Sequence, residues 1–331
     1  MRTLVPAYVG VFSLIVGFEF LSVEPARAEA AATLAVCQAI KDKKERLLCF
    51  EAIPVISEPS TASPPADPKP ALEERLDEER DLTRRAFIIL PHRPSYVLHT
   101  YSSTPNVAPF LTAEPDASLQ RQEIKFQFSL RVPVWNKVFG DNGDLWFGYT
   151  QQSFWQAYNW KRSAPFRETN YEPELGLTFH TDFSLLGLKH RLLSVGFAHQ
   201  SNGRSEPLSR SWNRVWVNFV VERGNLMVSL KPWYRIPEER AADNNPDIED
   251  YLGHGELHLA YKHKDQVFSL LLRNNLLTSN NRSGYEANWT WPFSKRVKGL
   301  VQYFNGYGES LIDYDVRMRR VGVGVLISDW L

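Results

Sequence analysis

The alternation of apolar and polar side chains is the feature that most constrains the fold of this chain of 331 residues. From about Pro94 onward the period is two, as in the segment Ile124–Phe128, which reads I-K-F-Q-F. Successive side chains of a β-strand point to opposite faces, so each such segment forms a strand with one apolar and one polar face. Twelve strands are predicted, at 95–103, 122–134, 144–158, 170–183, 190–202, 211–222, 225–236, 251–263, 266–276, 283–293, 298–308 and 316–330.

Strand length separates the two folds that this alternation permits. The predicted strands are long compared with the roughly five or six residues typical of a soluble sandwich. They match the roughly 9–11 residues that a membrane-crossing strand needs, and twelve is an even number, as bacterial single-chain barrels require. Charged polar faces suit a hydrated or hydrogen-bonded interior, and Tyr and Trp cluster at the strand ends, as in aromatic girdles. We therefore predict an all-β fold, a twelve-stranded antiparallel transmembrane β-barrel with a short N-terminal periplasmic extension; the soluble sandwich is the alternative.

The N-terminus indicates export. Met1–Ala28 has Arg2 in front, the apolar run Leu4–Phe18 and an A-x-A site at its end, which is typical of a signal peptide. Past Ala28 there is no apolar run of the roughly 18 residues that a spanning helix requires, so a membrane-spanning mature protein must be a closed barrel. The formal net charge of +0 gives no support for nucleic acid as a partner.

Two segments are predicted between the signal and the barrel domain of residues 91–331. Residues 29–53 form a short helical segment that contains both cysteines, Cys37 and Cys49. On one straight helix these residues would be about 18 Å apart, too far to bond, so a disulfide requires a helical hairpin that turns near residues 41–44. The alternative is that both are small apolar contacts on one helix.

The segment 54–90 is predicted to be a linker. Its first part, 54–70, is rich in proline, which is typical of an extended linker without a core. The charged run Leu72–Arg85 is predicted to form a short solvated helix.

Three polar residues that are typical of nucleophilic catalysis lie in the segment Leu193–Val221. Folding this segment as a hairpin about Glu206 places His199 directly opposite Asn213, and Ser201 lies on the same face of the strand as His199. A hydroxyl, an imidazole and a carboxamide thus converge on the apolar face of the hairpin. In a membrane barrel that face contacts lipid, where polar residues are costly, so three converging polar residues indicate a function, whereas each alone would be an ordinary strand-end residue.

The motif H-Q-S-N-G-R-S at residues 199–205, continuing to S-R-S-W-N-R at 209–214, resembles the outer-membrane phospholipase A family of Gram-negative bacteria. Further matching blocks are S-x-P-F-R-E-T-N-Y-E-P at 163–173, K-P-W-Y at 231–234, D-N-N-P-D-I at 243–248 and G-Y-G-E-S-L-I-D-Y at 306–314. The resemblance covers roughly residues 90–331. It implies a twelve-stranded outer-membrane barrel with its active site on the outer surface, near the outer leaflet.

The resemblance implies a role for each residue of the motif. Ser201 is the nucleophile, His199 the base and Asn213 the residue that orients the imidazole. The Gly203 N–H contributes to an oxyanion hole. Calcium binds at the interface of an active homodimer, and Gln151 contacts the partner across that interface. The calcium ligands implied are the Ser209 hydroxyl and the Arg204 carbonyl, with Ser163 from the partner subunit.

The implied activity is hydrolysis of sn-1 and sn-2 acyl esters of membrane phospholipids and lysophospholipids. The alternative from a different class is a catalytically silent barrel that acts as a channel or a structural protein. Glu206 is expected to cap the turn or to assist calcium through water, and Asp247 and Asp313 are expected to be structural. The Cys-containing extension distinguishes the chain from the enteric members of the family, and Ala164 stands where a second serine can occur.

Overall fold

The chain folds into a closed antiparallel β-barrel. The structure, a computed structural model, describes residues 36–51, 69–83, 88–239, 241, 243–294 and 297–329. The barrel strands are β1 (Ser95–Ser102), β2 (Gln122–Trp135), β3 (Asp144–Trp155), β4 (Phe166–Leu185), β5 (Leu188–Ser201), β6 (Ser211–Arg223), β7 (Leu226–Ile236), β8 (Gly255–His263), β9 (Gln266–Asn274), β10 (Ser283–Pro292), β11 (Lys298–Gly306) and β12 (Met318–Ser328). The helices are α1 (Lys43–Glu51), α2 (Ala71–Thr83), α3 (Ala108–Leu111) and α4 (Glu249–Leu252), with a 3₁₀ turn at Trp160–Arg162 and a two-residue strand at Leu90–Pro91.

Pairing between the first and last barrel strands closes the sheet. Each strand pairs antiparallel with its neighbour in sequence, and β12 returns to β1, with Val323 opposite His99. Closure leaves no unpaired edge among the twelve strands, which is the requirement for a sheet that crosses a membrane. The predicted barrel is confirmed and the soluble sandwich is wrong. Within the described residues no helix is long and apolar enough to cross a membrane.

The predicted strands agree with the structure except at some ends. A difference of four residues occurs at the start of β8, which is expected from residue 251 and begins at Gly255. The residues before it form the short helix α4, which packs Leu252 into the core at the loop end of the barrel. In β4 the strand begins earlier, at Phe166.

Side chains divide between the two faces as the alternation predicts. The outward face carries large exposed apolar residues, among them Phe147, Phe197 and Val215. The inward face carries buried charges, among them Lys125 and Arg320. Lipid therefore meets the apolar face, and the charges are satisfied inside the barrel.

The connections identify the two ends of the barrel. At one end the strands are joined by short turns, such as 186–187, 224–225 and 264–265, and at the other end by long loops, such as 103–121 and 237–254. In outer-membrane barrels the short turns are periplasmic and the long loops extracellular. The loop 202–210, which carries the matching motif, lies at the long-loop end.

The N-terminal compact unit contains the disulfide. Residues 36–39 are helical, a turn follows, and α1 brings Cys49 back to Cys37 with a Cα–Cα distance of 5.5 Å. This is the helical hairpin that a bond between these cysteines requires. The predicted signal peptide and most of the proline-rich segment lie outside the described residues.

The charged run before the barrel forms a helix, as expected, but the expectation that this helix is solvated is wrong. Leu72 and Leu76, four residues apart on one face of α2, are buried against barrel residues that include Val220, Met227 and Val267. Residues at positions i and i+4 lie on one side of a helix, so these two leucines give an otherwise charged sequence a docking face.

Ion pairs surround this apolar contact. Arg131 donates to Glu79 at 2.6 Å, Lys262 to Glu74 at 3.1 Å, and Arg191 is paired with Glu73. Pairs of this kind at partly exposed positions contribute little each, so the buried leucines supply most of the docking energy. Helix α2 thus covers the barrel interior at the short-turn end.

We expect that placing a charge in the docking face will open the interior beneath it. Leu76→Asp buries a carboxylate against apolar residues, which costs several kcal/mol unless the helix undocks. In a Met227→Cys background, labelling by a charged thiol reagent should become at least about tenfold faster, since about 1.4 kcal/mol corresponds to tenfold. Met227 is 2% exposed and both native cysteines are bonded, so the new thiol is the only target.

The control is Leu82→Asp, which adds the same charge at a position on α2 that is 37% exposed. In this variant, labelling of the thiol at position 227 should stay at the parent rate. Equal labelling rates in the Leu76→Asp and Leu82→Asp variants would contradict the docked helix.

Candidate active site

The hairpin of β5 and β6 places the three predicted catalytic residues. The register is the predicted one, with His199 opposite Asn213 and Ser201 opposite Ser211. All four side chains lie on the outward face, at the alternate positions that follow exposed Phe197 on β5 and precede exposed Val215 on β6. The candidate site therefore faces away from the barrel interior, toward lipid.

One direct hydrogen bond joins two of these residues. His199 Nδ1 and Asn213 Oδ1 are 2.9 Å apart, and since an amide oxygen only accepts, the ring nitrogen is the donor. This leaves Nε2 with a lone pair that can accept a proton. The geometry is that of a general base held in one tautomer by a neighbouring acceptor.

Ser201 lies beside this pair. It is half-buried at the end of β5, two residues beyond His199. Within the described residues, no hydrogen bond joins its hydroxyl to the His199 ring. Contacts between a nucleophile and its base are often long without substrate and shorten when substrate binds, so the position remains suitable for a nucleophile.

Aromatic and charged side chains support the hairpin from inside the barrel. Trp212 is fully buried and donates its indole N–H to Gln200 Oε1 at 2.8 Å. The Arg214 guanidinium lies over the Trp212 ring, 4.0 Å from its centroid, and donates to Glu172 at 2.7 Å. Because Gln200, Trp212 and Arg214 alternate with the outward residues, this packing fixes the strands that carry His199 and Asn213.

The buried Asn202 amide makes three hydrogen bonds within the loop 202–210. Asn202 Oδ1 accepts from the backbone N–H groups of Arg204 at 3.3 Å and Arg210 at 3.0 Å, and Nδ2 donates to the Leu208 carbonyl at 2.8 Å. Gly203 has a φ of +64°, and a Cβ at this position would meet Tyr171 at 3.1 Å. Glycine is therefore favoured in this turn, which presents its N–H next but one to Ser201.

The predicted calcium ligands lie at the same end of the barrel. Ser209 Oγ accepts from Asn244 Nδ2 at 2.8 Å. The Arg204 side chain donates to the Arg167 carbonyl at 2.6 Å and so ties this loop to the start of β4. Ser163, just before β4, is exposed and adopts a left-handed conformation with φ +59°. Ser209 and Arg204 are thus in one loop, and Ser163 is in the next.

Gln151 lies apart from the triad residues, on β3. It accepts from the Tyr149 hydroxyl at 3.2 Å and donates to Ser153 Oγ at 3.2 Å. These contacts run along the outward face, on which exposed Phe147 also lies. The side chain is therefore on a surface that another subunit can reach.

Sequence reasoning missed two residues of the site. Glu238 accepts from Asn213 Nδ2 at 3.2 Å, and Asn244 accepts from the Ser211 N–H at 3.1 Å while donating to Ser209. Asn244 belongs to one of the matching blocks, but Glu238 stands in no motif, and only the loop after β7 brings it to the site.

The two aspartates expected to be structural are so. Asp313, fully buried, accepts from Arg167 at 2.5 Å, from Ser310 and from Asn106. Asp247 accepts from the Tyr314 hydroxyl at 2.6 Å. The Glu206 carboxylate, exposed in the loop, lies 3.4 Å from Asn244 Nδ2.

The fold and the outward polar site define a class, outer-membrane barrels with a candidate hydrolytic site on the lipid-facing surface. A family model described as Phospholipase A1 matches residues 72–327. The chain is 41% identical over 243 residues to phospholipase A1 of Klebsiella pneumoniae, which is 73% of this chain and 83% of that protein. The chain therefore belongs to the phospholipase A1 family.

Solved structures agree with this assignment. Outer membrane phospholipase A from Escherichia coli has a TM-score of 0.71 at 40% identity, covering 74% of this chain and 100% of that one. The Salmonella typhi outer membrane phospholipase dimer with bound calcium has a TM-score of 0.70 at 41% identity, covering 74% and 94%. The barrel is thus an outer-membrane phospholipase.

Proposed function

We propose that this protein is a calcium-dependent, dimer-activated hydrolase of phospholipid and lysophospholipid acyl esters, with Ser201, His199 and Asn213 as its catalytic triad. The observation that carries the proposal is the 2.9 Å contact between His199 Nδ1 and Asn213 Oδ1 on the lipid-facing side of the barrel. A polar pair that faces lipid is costly, so its presence at that position indicates a function. The acyl esters of outer-leaflet phospholipids lie at this end of the barrel.

The triad divides the reaction into two steps. His199 Nε2 takes the proton of the Ser201 hydroxyl as its oxygen attacks the ester carbonyl, and the imidazolium then returns that proton to the leaving lysophospholipid. In the second step, water activated by the same nitrogen releases the fatty acid from Ser201. Asn213 holds the imidazole in the tautomer that leaves Nε2 available.

Negative charge develops on the carbonyl oxygen in both steps. The Gly203 N–H, next but one to Ser201, is the donor proposed to stabilise it. Gly203 adopts a φ of +64°, which favours glycine, and its N–H belongs to the loop backbone, so this donor is in place before the substrate arrives.

The donor set fits calcium. Among the described residues no group of three or more His, Cys, Asp or Glu side chains is arranged to hold a metal, so a site here depends on hydroxyl and carbonyl oxygens. Oxygens are the ligands that calcium prefers, and the Ser209 hydroxyl keeps a lone pair while accepting from Asn244. Ser209 and the Arg204 carbonyl would hold the ion with Ser163 of a second copy. When bound, calcium supplies positive charge near the oxyanion.

A shared site links calcium to dimerisation. The related Salmonella typhi structure is a dimer with bound calcium. If both subunits contribute ligands here, calcium and the second subunit each tighten binding of the other by the same factor. Gln151 and its apolar neighbours on β3 would form the contact, with packing and lipid entropy as the driving force. A lipase embedded in its own substrate would then be active only when two subunits meet.

The triad is tested by substitution in the detergent-folded protein. Ser201→Ala and His199→Ala should lower phospholipid hydrolysis about a thousandfold or more, and Asn213→Ala should lower it far less, because an uncharged orienter contributes geometry rather than charge. Ser211→Ala is the matched control, since Ser211 is opposite Ser201 in the register. Hydrolysis that survives Ser201→Ala in a heat-modifiable barrel would remove the triad and favour a silent barrel.

The shared calcium site is tested at Ser163. Ser163→Ala should raise the calcium concentration for half-maximal turnover about tenfold, the effect of losing one ligand worth about 1.4 kcal/mol, while the barrel stays folded. Ser118→Ala, an exposed hydroxyl in another long loop, should leave it unchanged. Cross-linking and activity measured across detergent dilution complete the test, because full calcium-dependent turnover in monomeric protein contradicts a site shared between subunits.

A further inference from the structure

The Asn213 amide has a second partner. Its Nδ2 donates to Glu238 Oε1 at 3.2 Å, while its Oδ1 accepts from His199. Ile236, the last residue of β7, is opposite Asn213 in the register, so Glu238, two residues later, returns to the same outward side. Pro237 between them has no N–H, and regular strand pairing ends there.

This contact determines which way the amide points. A carboxylate only accepts hydrogen bonds, whereas a carboxamide accepts at one end and donates at the other. The end of Asn213 that faces Glu238 must therefore be the NH₂ group, and the oxygen must face the imidazole. His199 Nδ1 is then the donor, and Nε2 is left unprotonated, as a general base requires.

Glu238 also provides the charge that Asn213 lacks. An asparagine in the third position orients the imidazole but carries no formal charge to stabilise the imidazolium that forms during proton transfer. The Glu238 carboxylate lies one hydrogen bond behind the amide and is half-buried, in a setting that screens charge less than bulk water does. A negative charge so placed favours the protonated ring in the transition state.

We propose that Glu238 is a positioning residue of the site, which fixes the orientation of the Asn213 amide and supplies the negative charge that completes an asparagine-based triad. This inference rests on the proposed function, since it assigns Glu238 a part in the same reaction. It extends the proposed set of interacting residues from three to four: Ser201, His199, Asn213 and Glu238.

The first test separates chemistry from binding. Glu238→Gln keeps the size of the side chain but removes the charge and allows the Asn213 amide to flip, so kcat should fall about tenfold while KM changes less than about twofold. The matched control is Glu239→Gln, which removes a charge from the adjacent exposed residue; its backbone carbonyl accepts from the Asp243 N–H. The control should keep the parent kcat.

The second test uses a reversal of sign. In an Asn213→Asp background, Glu238 would face another carboxylate, and the two like charges repel. Adding Glu238→Gln should then raise kcat severalfold, because glutamine donates to Asp and removes the repulsion. A residue that only braces the loop would lower kcat by the same factor in both backgrounds.

The outcomes distinguish the inference from the proposed function. An inactive parent, or Ser201→Ala with parent activity, overturns the proposed function and the inference with it. An active parent that needs Ser201, with a Glu238→Gln variant of unchanged kcat or the same loss in both backgrounds, overturns the role of Glu238 alone. A loss with Asn213 present and a gain with Asp there supports it.

Discussion

The closure of the sheet is the constraint on which the rest of the structure depends. Lipid offers no hydrogen-bond partner to the backbone, so every strand must pair on both sides, and the pairing of β12 with β1 completes the ring. Once closed, the barrel cannot slip by one residue without turning its charges toward lipid. The register therefore assigns each side chain to the inside or the outside, and it places His199 and Asn213 opposite each other on the outside.

The interior holds that register in place. Lys125, fully buried, donates to Gln302 at 2.7 Å, and Arg320 bridges Glu123 and Glu309, each at 2.8 Å. Removing one partner of such a pair leaves a buried charge uncompensated, which costs several kcal/mol. These pairs oppose slippage of the strands. The charged network inside the barrel therefore also fixes the positions of the site residues on the lipid-facing side of the same strands.

The parts of the fold that follow from local periodicity were predictable from the sequence. Alternation gave the twelve strands, and hairpin arithmetic about Glu206 gave the pairing of His199 with Asn213. Docking of α2 was not predictable in the same way, because its charged composition hides the two leucines, and their partners Met227 and Val267 are distant in sequence. Burial of a short helix depends on the cavity it meets, which composition does not describe.

At the candidate site, too, the sequence predicts some residues and not others. The residue types and spacing of the motif identified the triad candidates, since a strand fixes their face. Glu238 stands in no motif and reaches Asn213 only because the chain turns after β7. Asn244, in the loop 237–254, likewise contacts Ser209 in the loop 202–210. Contacts made by loops depend on where the strand ends bring them, so sequence periodicity predicts the scaffold of the site and not its supporting residues.

The central claim is that Ser201 is an activated nucleophile on the lipid-facing surface. The most direct test is an alkyl sulfonyl fluoride presented from a lipid bilayer to the folded barrel, with the adduct located by mass spectrometry. In the proposed triad, His199, whose Nδ1 donates to Asn213, uses its Nε2 lone pair to make the Ser201 hydroxyl far more reactive than the other serines. The adduct should therefore lie on Ser201 and be lost in His199→Ala. An adduct on Ser209 or Ser211 instead, or one that forms equally without His199, would contradict the account.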